Sequence, residues 1–166
     1  MSPRVVLVGP PGAGKSTVGR MVAELLGLSF RDTDEDVESM TGKSVADVFL
    51  EDGEPAFRAA EAVAVADALV DSEGVLAVGG GAVLDPDTRA LLAGHQVVLL
   101  DVGLADAVRR VGLGRDRPVL ALNPRAILRQ LLEERAPLYA EVATCTVSTD
   151  DRSPEQVARA VMDALA

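Results

Sequence analysis

The chain has little with which to hold a nucleic acid. Its 166 residues include no tryptophan, one tyrosine and three phenylalanines, so there is no platform of rings on which bases could stack. Its formal net charge is −10, from 16 basic and 26 acidic residues, which opposes binding to nucleic acid or to an anionic membrane surface. No apolar run approaches the length of a membrane span. One cysteine, Cys145, leaves no internal disulfide and no thiolate metal cluster; its setting in a candidate strand predicts core packing. No signal-peptide pattern precedes the first apolar run at Val5, so a cytoplasmic protein is expected. The one histidine, His95, lies in a turn with no visible catalytic partner.

Against these absences stands one dense motif. Gly9-Pro10-Pro11-Gly12-Ala13-Gly14-Lys15-Ser16-Thr17 fits G-x-x-x-x-G-K-[ST]. An apolar run, Val5–Val8, precedes it. Val18, Met21, Val22, Leu25 and Leu26 follow at helical spacing. Strand, glycine-rich loop and helix in that order are the context a phosphate-binding loop requires. The glycines let backbone N–H groups turn inward around an anion, and the helix N-terminus adds partial positive charge behind it. Lys15 can reach the β- and γ-phosphates, and the Ser16 hydroxyl can ligate Mg²⁺. The chain has two lysines, Lys15 and Lys43, so the one in this loop is informative. ATP with Mg²⁺ is the expected ligand.

The chain is long enough for one domain with a proper core. Short apolar runs alternate with helical patterns, which predicts an α/β fold with a mainly parallel sheet. Candidate strands are Val5–Gly9, Ser29–Thr33, Val75–Val78, Gln96–Asp101 and Thr144–Ser148. Ligands of such folds sit at the carboxyl ends of the strands. The second strand runs into Asp32-Thr33-Asp34. If this stretch is extended, both carboxylates share one side, where one could serve Mg²⁺ through water and the other an acceptor hydroxyl. Equally, Asp34 could cap the following helix. Ser44 is a candidate N-cap with Asp47 three residues on, and Pro55 suits the start of a further helix.

That further helix carries Phe57, Arg58 and Glu61. Arg58 and Glu61 are three apart and share a face, as a surface ion pair or as part of a site. Phe49 and Phe57 are core by default. Gly79-Gly80-Gly81, at the end of the third strand, implies close backbone approach to a ligand or another strand. Seven arginines fall between Arg109 and Arg135. Among them, Arg117 in Gly112–Pro118 stands on a lid or on a solvated linker. The helix from about Pro124 should stop or kink at Pro137. Ser153 and Pro154 read as the N-cap and first position of a closing helix that buries Val157, Val161 and Leu165.

A guanine-reading Asn-Lys-x-Asp is missing, because the only asparagine, Asn123, is followed by Pro124. The third strand ends in glycines rather than in the acidic residue of a motor ATPase. A small-molecule kinase remains. In order and spacing, Gly9–Thr17, Asp32-Thr33-Asp34, Phe57-Arg58-x-x-Glu61, Gly79–Gly81, Arg117-Pro118 and Arg135-x-Pro137-x-Tyr139 make the whole chain resemble the bacterial shikimate kinases.

The resemblance implies a three-layer, nucleoside-monophosphate-kinase-like fold around a five-stranded parallel sheet. It implies a single domain with a substrate-binding region at about 34–61 and a lid at about 112–123. It implies transfer of the ATP γ-phosphoryl to the shikimate 3-hydroxyl, with Lys15, Asp34 and Arg117 catalytic. Gly12, Ala13, Gly14, Lys15, Ser16, Thr17, Arg110, Arg117 and Pro154 are implied to hold ATP, and Ser16 and Asp32 to hold Mg²⁺. Asp34, Phe49, Phe57, Arg58, Glu61, Gly79, Gly80, Gly81 and Arg135 are implied to hold or shape the site of shikimate. A monomer serving aromatic biosynthesis is expected. One departure is Val147-Ser148-Thr149, where the family often has Val-Asp-Thr. Another small-metabolite kinase, such as a gluconate kinase, and a catalytically silent ATP-binding module are the rival readings.

Overall fold

The computed structural model describes residues 2–111 and 124–166. Its strands are β1 (Val5–Val8), β2 (Phe30–Asp32), β3 (Val75–Ala77), β4 (Val97–Asp101) and β5 (Cys145–Ser148). They form a five-stranded sheet in the order β2-β3-β1-β4-β5, parallel throughout. All five candidate strands are present, each shorter than its expected span.

β1 is the centre of the sheet and is buried on both faces, which is why it reads as unbroken Val-Val-Leu-Val rather than alternating. Its side chains still divide by the two-residue period. Val5 and Leu7 join one core with α1 (Lys15–Leu26) and α8 (Pro154–Leu165). Val6 and Val8 join the opposite core with α4 (Glu54–Asp71), α5 (Pro86–Leu92) and the far half of α7 (Pro124–Val142). Each fully buried Val or Leu contributes about 1.5–3 kcal/mol, so the two cores hold the three layers together. A third cluster of Val37, Val48 and Phe57 joins α2 (Thr33–Thr41), α3 (Val45–Glu51) and α4. α6 (Leu104–Val111) follows β4.

Helix ends follow local chemistry. Ser44 accepts from the Asp47 N–H at 3.1 Å and opens α3. Ser153 and Gln156 form a reciprocal capping box with Pro154 at the start of α8, an arrangement worth about 1 kcal/mol. In α8 Val157 and Val161 are buried and Leu165 is partly so.

Two expectations are corrected. Asp34 does not cap α2, nor does it extend β2. The strand ends at Asp32, whose carboxylate accepts from the Asp34 N–H at 2.9 Å and caps the helix itself. Thr33 is fully buried and its hydroxyl accepts from the Gly79 N–H at 3.1 Å, which ties the helix start to the end of β3. Of the stop or kink expected at Pro137, the stop does not occur: α7 continues to Val142. Beyond the proline, Tyr139 and Val142 are buried in the core that holds Val6 and Val8, and that packing outweighs the lost helical hydrogen bond. No helix among the described residues is long and apolar enough to cross a membrane.

Candidate active site

The carboxyl ends of β1, β2 and β3 open into a cleft of about 630 Å³. Its donor end is the loop between β1 and α1. Gly12 and Gly14 have φ of 85° and 84°, left-handed values that disfavour any side chain. The loop thereby turns into the N-terminus of α1, whose first N–H groups have no intrahelical acceptor. Lys15 Nζ donates to the carbonyls of Gly9 at 2.8 Å and Pro10 at 3.2 Å, so the ammonium lies over its own loop. Gly12, Gly14, Lys15, Ser16 and Thr17 line the cleft. Ala13 is buried beneath them.

Ser16 Oγ donates to Asp32 Oδ2 at 2.5 Å across the same cleft. A hydroxyl and a carboxylate oxygen brought together beside a phosphate loop are the hard donors that Mg²⁺ takes, and they fit that ion. Arg110 lines the cleft from α6. Its guanidinium donates to the Gly12 carbonyl at 2.9 Å and to the Thr149 hydroxyl and carbonyl, each at 3.2 Å. It therefore bolts the phosphate loop to the segment leaving β5. Pro154 is exposed at the start of α8, outside the cleft lining.

The acceptor end is assembled around Gly79–Gly81. A Cβ at Gly79 would meet Glu61 Oε2, and would lie 3.0 Å from Asp34 Oδ1; one at Gly81 would collide with the Arg58 guanidinium. Three charged side chains thus close on a glycine edge that only the absence of side chains permits. Arg58 Nη1 donates to Glu61 Oε1 at 2.8 Å, with the glutamate side chain 3% exposed. The guanidinium also lies 5.2 Å from the Phe57 ring centroid and 5.9 Å from that of Phe49, and the two rings pack 4.6 Å apart. Arg58 and Glu61 border a smaller cavity of about 260 Å³ rather than the main cleft, whereas Asp34 lines the main cleft.

Behind this edge stands α7. Arg135 is buried, and its Nε has no hydrogen-bond partner among the described residues. Tyr139, one turn on, donates its hydroxyl to the Gly80 carbonyl at 2.5 Å. Burial pushes the pKa of this hydroxyl above its ordinary value, against the opposing pull of Arg135 and Arg58. Gly80 and Gly81 are themselves buried, and neither N–H has a hydrogen-bond partner among the described residues. Buried, unpaired donors are rare and costly. Together with two guanidinium groups they describe a seat for an anion.

A model of the shikimate kinase family matches residues 11–166. The chain belongs to the shikimate kinase family. It is 59% identical to a shikimate kinase of Streptomyces avermitilis over 98% of this chain and 95% of that one. It is 60% identical to one of Salinispora arenicola over 100% and 99% of the two chains. Among solved structures, it superposes on a shikimate kinase of Acinetobacter baumannii in complex with shikimate with a TM-score of 0.94, at 37% identity over 99% and 93% of the chains.

Within this family frame, the structure brings together Asp34, Arg58, Glu61 and Gly79–Gly81, which are far apart in sequence. The surface-ion-pair reading of Arg58 and Glu61 is set aside, because the glutamate is buried. Arg117 and the lid at 112–123 lie outside the described residues. Cys145 packs partly buried against the core, and His95 sits in the turn before β4. Sequence reasoning passed over Tyr139 as a site residue and Thr149 as a partner of Arg110. Tyr139 carried a signal: it is the only tyrosine, two residues past a proline inside a helix.

Proposed function

We propose that the chain transfers the ATP γ-phosphoryl to the 3-hydroxyl of shikimate, giving shikimate 3-phosphate and ADP. One observation carries the reading: the buried glycine edge on which Arg58, Glu61 and Asp34 close lies against the phosphate loop, where a Cβ at Gly80 would come 3.2 Å from Pro11 Cδ and 3.4 Å from the Gly9 carbonyl oxygen, and α7 brings buried Arg135 one turn before the Tyr139 that binds Gly80. Shikimate carries one carboxylate, and guanidinium groups bind a carboxylate through paired, charge-assisted hydrogen bonds. A silent module is disfavoured because the phosphate loop is intact with Lys15 and Ser16 in place, and a gluconate kinase is disfavoured by the family to which the chain belongs.

Each residue then has a task. Gly12–Thr17 cradle the triphosphate with backbone N–H groups, and Arg110 steadies the loop and the nucleoside side. Pro154 borders the nucleoside from α8. Lys15 leaves the Gly9 and Pro10 carbonyls for the transferring phosphoryl and stabilises its charge. Asp34 accepts a hydrogen bond from the acceptor hydroxyl, orients it in line and takes its proton. Phe49 and Phe57 hold Arg58 flat, and Glu61 fixes its direction, so that its remaining N–H groups face the substrate. Ser16 and Asp32 hold Mg²⁺, which neutralises phosphate charge when bound. Arg117 comes from the lid as a cationic partner of the γ-phosphoryl, and lid closure excludes water. The enzyme works as a cytoplasmic monomer on small molecules.

The test is a coupled ADP-release assay on the full chain. Release is expected with MgATP and shikimate together and to be near background without shikimate. Folded, ATP-binding protein that releases no ADP in response to shikimate would sink this reading.

A further inference from the structure

The structure assigns Tyr139 a positioning role in acceptor binding: its hydroxyl sets the plane of the Gly80–Gly81 peptide and so aims the Gly81 N–H at the substrate carboxylate. The assignment rests on the acceptor reading above. The peptide unit is planar and trans, so its C=O and its N–H point in opposite directions. No cis peptide occurs among the described residues. The Gly80 carbonyl receives the Tyr139 hydroxyl at 2.5 Å. The N–H of the same plane belongs to Gly81 and therefore points away from α7. It is buried and has no hydrogen-bond partner among the described residues. Arg58 lies against the same residue: its guanidinium occupies the place a Gly81 side chain would take.

A glycine pair needs such an anchor. Two successive residues without Cβ atoms leave the intervening peptide free to rotate, at little steric cost. The 3₁₀ turn that follows, Ala82–Leu84, holds Gly79 and Gly81 by their carbonyls, through the N–H groups of Ala82 and Leu84. It does not hold the carbonyl of Gly80. Tyr139 supplies that missing restraint from another element, and the same helix carries Arg135 one turn earlier. One helix thus places both a guanidinium and, through a tyrosine, a backbone donor at the acceptor seat. Packing alone does not account for the residue. The ring belongs to the core that also holds Val83, Leu92 and Val142, where phenylalanine would fill nearly the same volume.

The decisive variant is Tyr139→Phe in the full chain, assayed with each substrate varied in turn. The KM for shikimate should rise roughly tenfold, as for the loss of one buried hydrogen bond. The kcat and the KM for ATP should stay within about twofold. A shikimate KM within twofold of the parent overturns the assignment, and so does an equal loss toward both substrates, which is the mark of general disruption. Should the variant not fold, the parent decides, because a chain with no tryptophan and one tyrosine reports on Tyr139 alone. Its tyrosine emission should change saturably with shikimate, over the range set by the shikimate KM, and not with ADP. An unchanged emission overturns the role. A parent without shikimate-dependent turnover would bring down the acceptor reading and this role with it; a fully active parent beside an unaffected variant removes only the role of Tyr139.

Discussion

The two ends of the cleft are built by opposite means. The donor end is nine consecutive residues, Gly9–Thr17, and its working parts are mostly backbone donors, a lysine and a hydroxyl. The acceptor end draws on α2, α4, the end of β3 and α7, from Asp34 to Tyr139. Its polar groups are buried: Glu61 is 2% exposed, Tyr139 3% and Arg135 6%. Chain connectivity sets most of the donor end's shape, with Arg110 tying Gly12 to Thr149 and Ser16 meeting Asp32. The acceptor end is held by tertiary packing, and each of its charges depends on the next one for compensation. Damage at the donor end should therefore cost chemistry with little loss of fold. Damage at the acceptor end should cost binding and stability together.

The largest effect tests the donor half of that contrast. Lys15→Met removes the ammonium that the loop holds over its own carbonyls at 2.8 and 3.2 Å. Turnover should fall roughly a thousandfold, the scale of losing one preorganised donor to transition-state charge. The melting temperature should move little, and shikimate should still perturb the tyrosine emission. Loss of folding in this variant would erase the distinction between the two ends.

Asp34 stands where the ends meet, lining the donor cleft while its Oδ1 approaches the glycine edge. Asp34→Asn keeps the shape and removes the proposed base. Turnover should drop by roughly 10²–10³, within the range of general-base catalysis, with ATP binding nearly intact by equilibrium titration. Near-normal turnover would remove Asp34 from the mechanism.

Arg58→Ala tests the acceptor half. The shikimate KM should rise roughly 10–100-fold, as for a charged hydrogen-bond partner. The same change removes an ion-pair partner of the buried Glu61 carboxylate, so stability should fall by on the order of 2–3 kcal/mol in denaturant titration. Adding Glu61→Gln should restore much of the stability and none of the shikimate affinity. If the double variant recovers both, Arg58 serves the fold and not the substrate.

The contrast also explains what the sequence made legible. The donor end was readable because its loop residues are adjacent, and β1, β3 and β4 because they are short apolar runs between turns. Asp32 and Asp34 were harder. Both are good capping residues, and the choice depended on Thr33, which is pinned by Gly79 from a strand far along the chain. The exposure of Arg58 and Glu61 was likewise undecidable from spacing, since an i,i+3 pair looks the same in solvent and in a core. Pro137 misled because helix propensity argues for a stop, whereas burial of Tyr139 and Val142 carries the helix on to Val142. Tyr139 became a site residue only when α7 was seen beside Gly80.

The smallest expected effect probes a place where the donor end borrows tertiary support. Asp106 is buried, 2.6 Å from Arg109 and 3.8 Å from Arg110, and it accepts from the Asp151 N–H at 3.4 Å. It backs the arginine that holds Gly12 and Thr149. Burial alone would raise its pKa, but the Asp151 N–H, Arg109, a hydrogen bond with Asp150 and Arg110 together hold it below the ordinary value of 3.8. A carboxyl depressed in the folded state contributes stability that is present above its unfolded pKa and is lost as pH falls through its folded one. In Asp106→Asn the melting temperature should therefore decline less steeply than in the parent as pH drops below about 4. At neutral pH the KM for ATP should rise by about three- to fivefold, the scale of a weakened hydrogen-bonded contact. The KM for shikimate should not change, because no contact of Asp106 reaches the glycine edge. A shift in the shikimate KM as large as that for ATP would show that the two ends are coupled through α6, and the contrast between them would have to be redrawn.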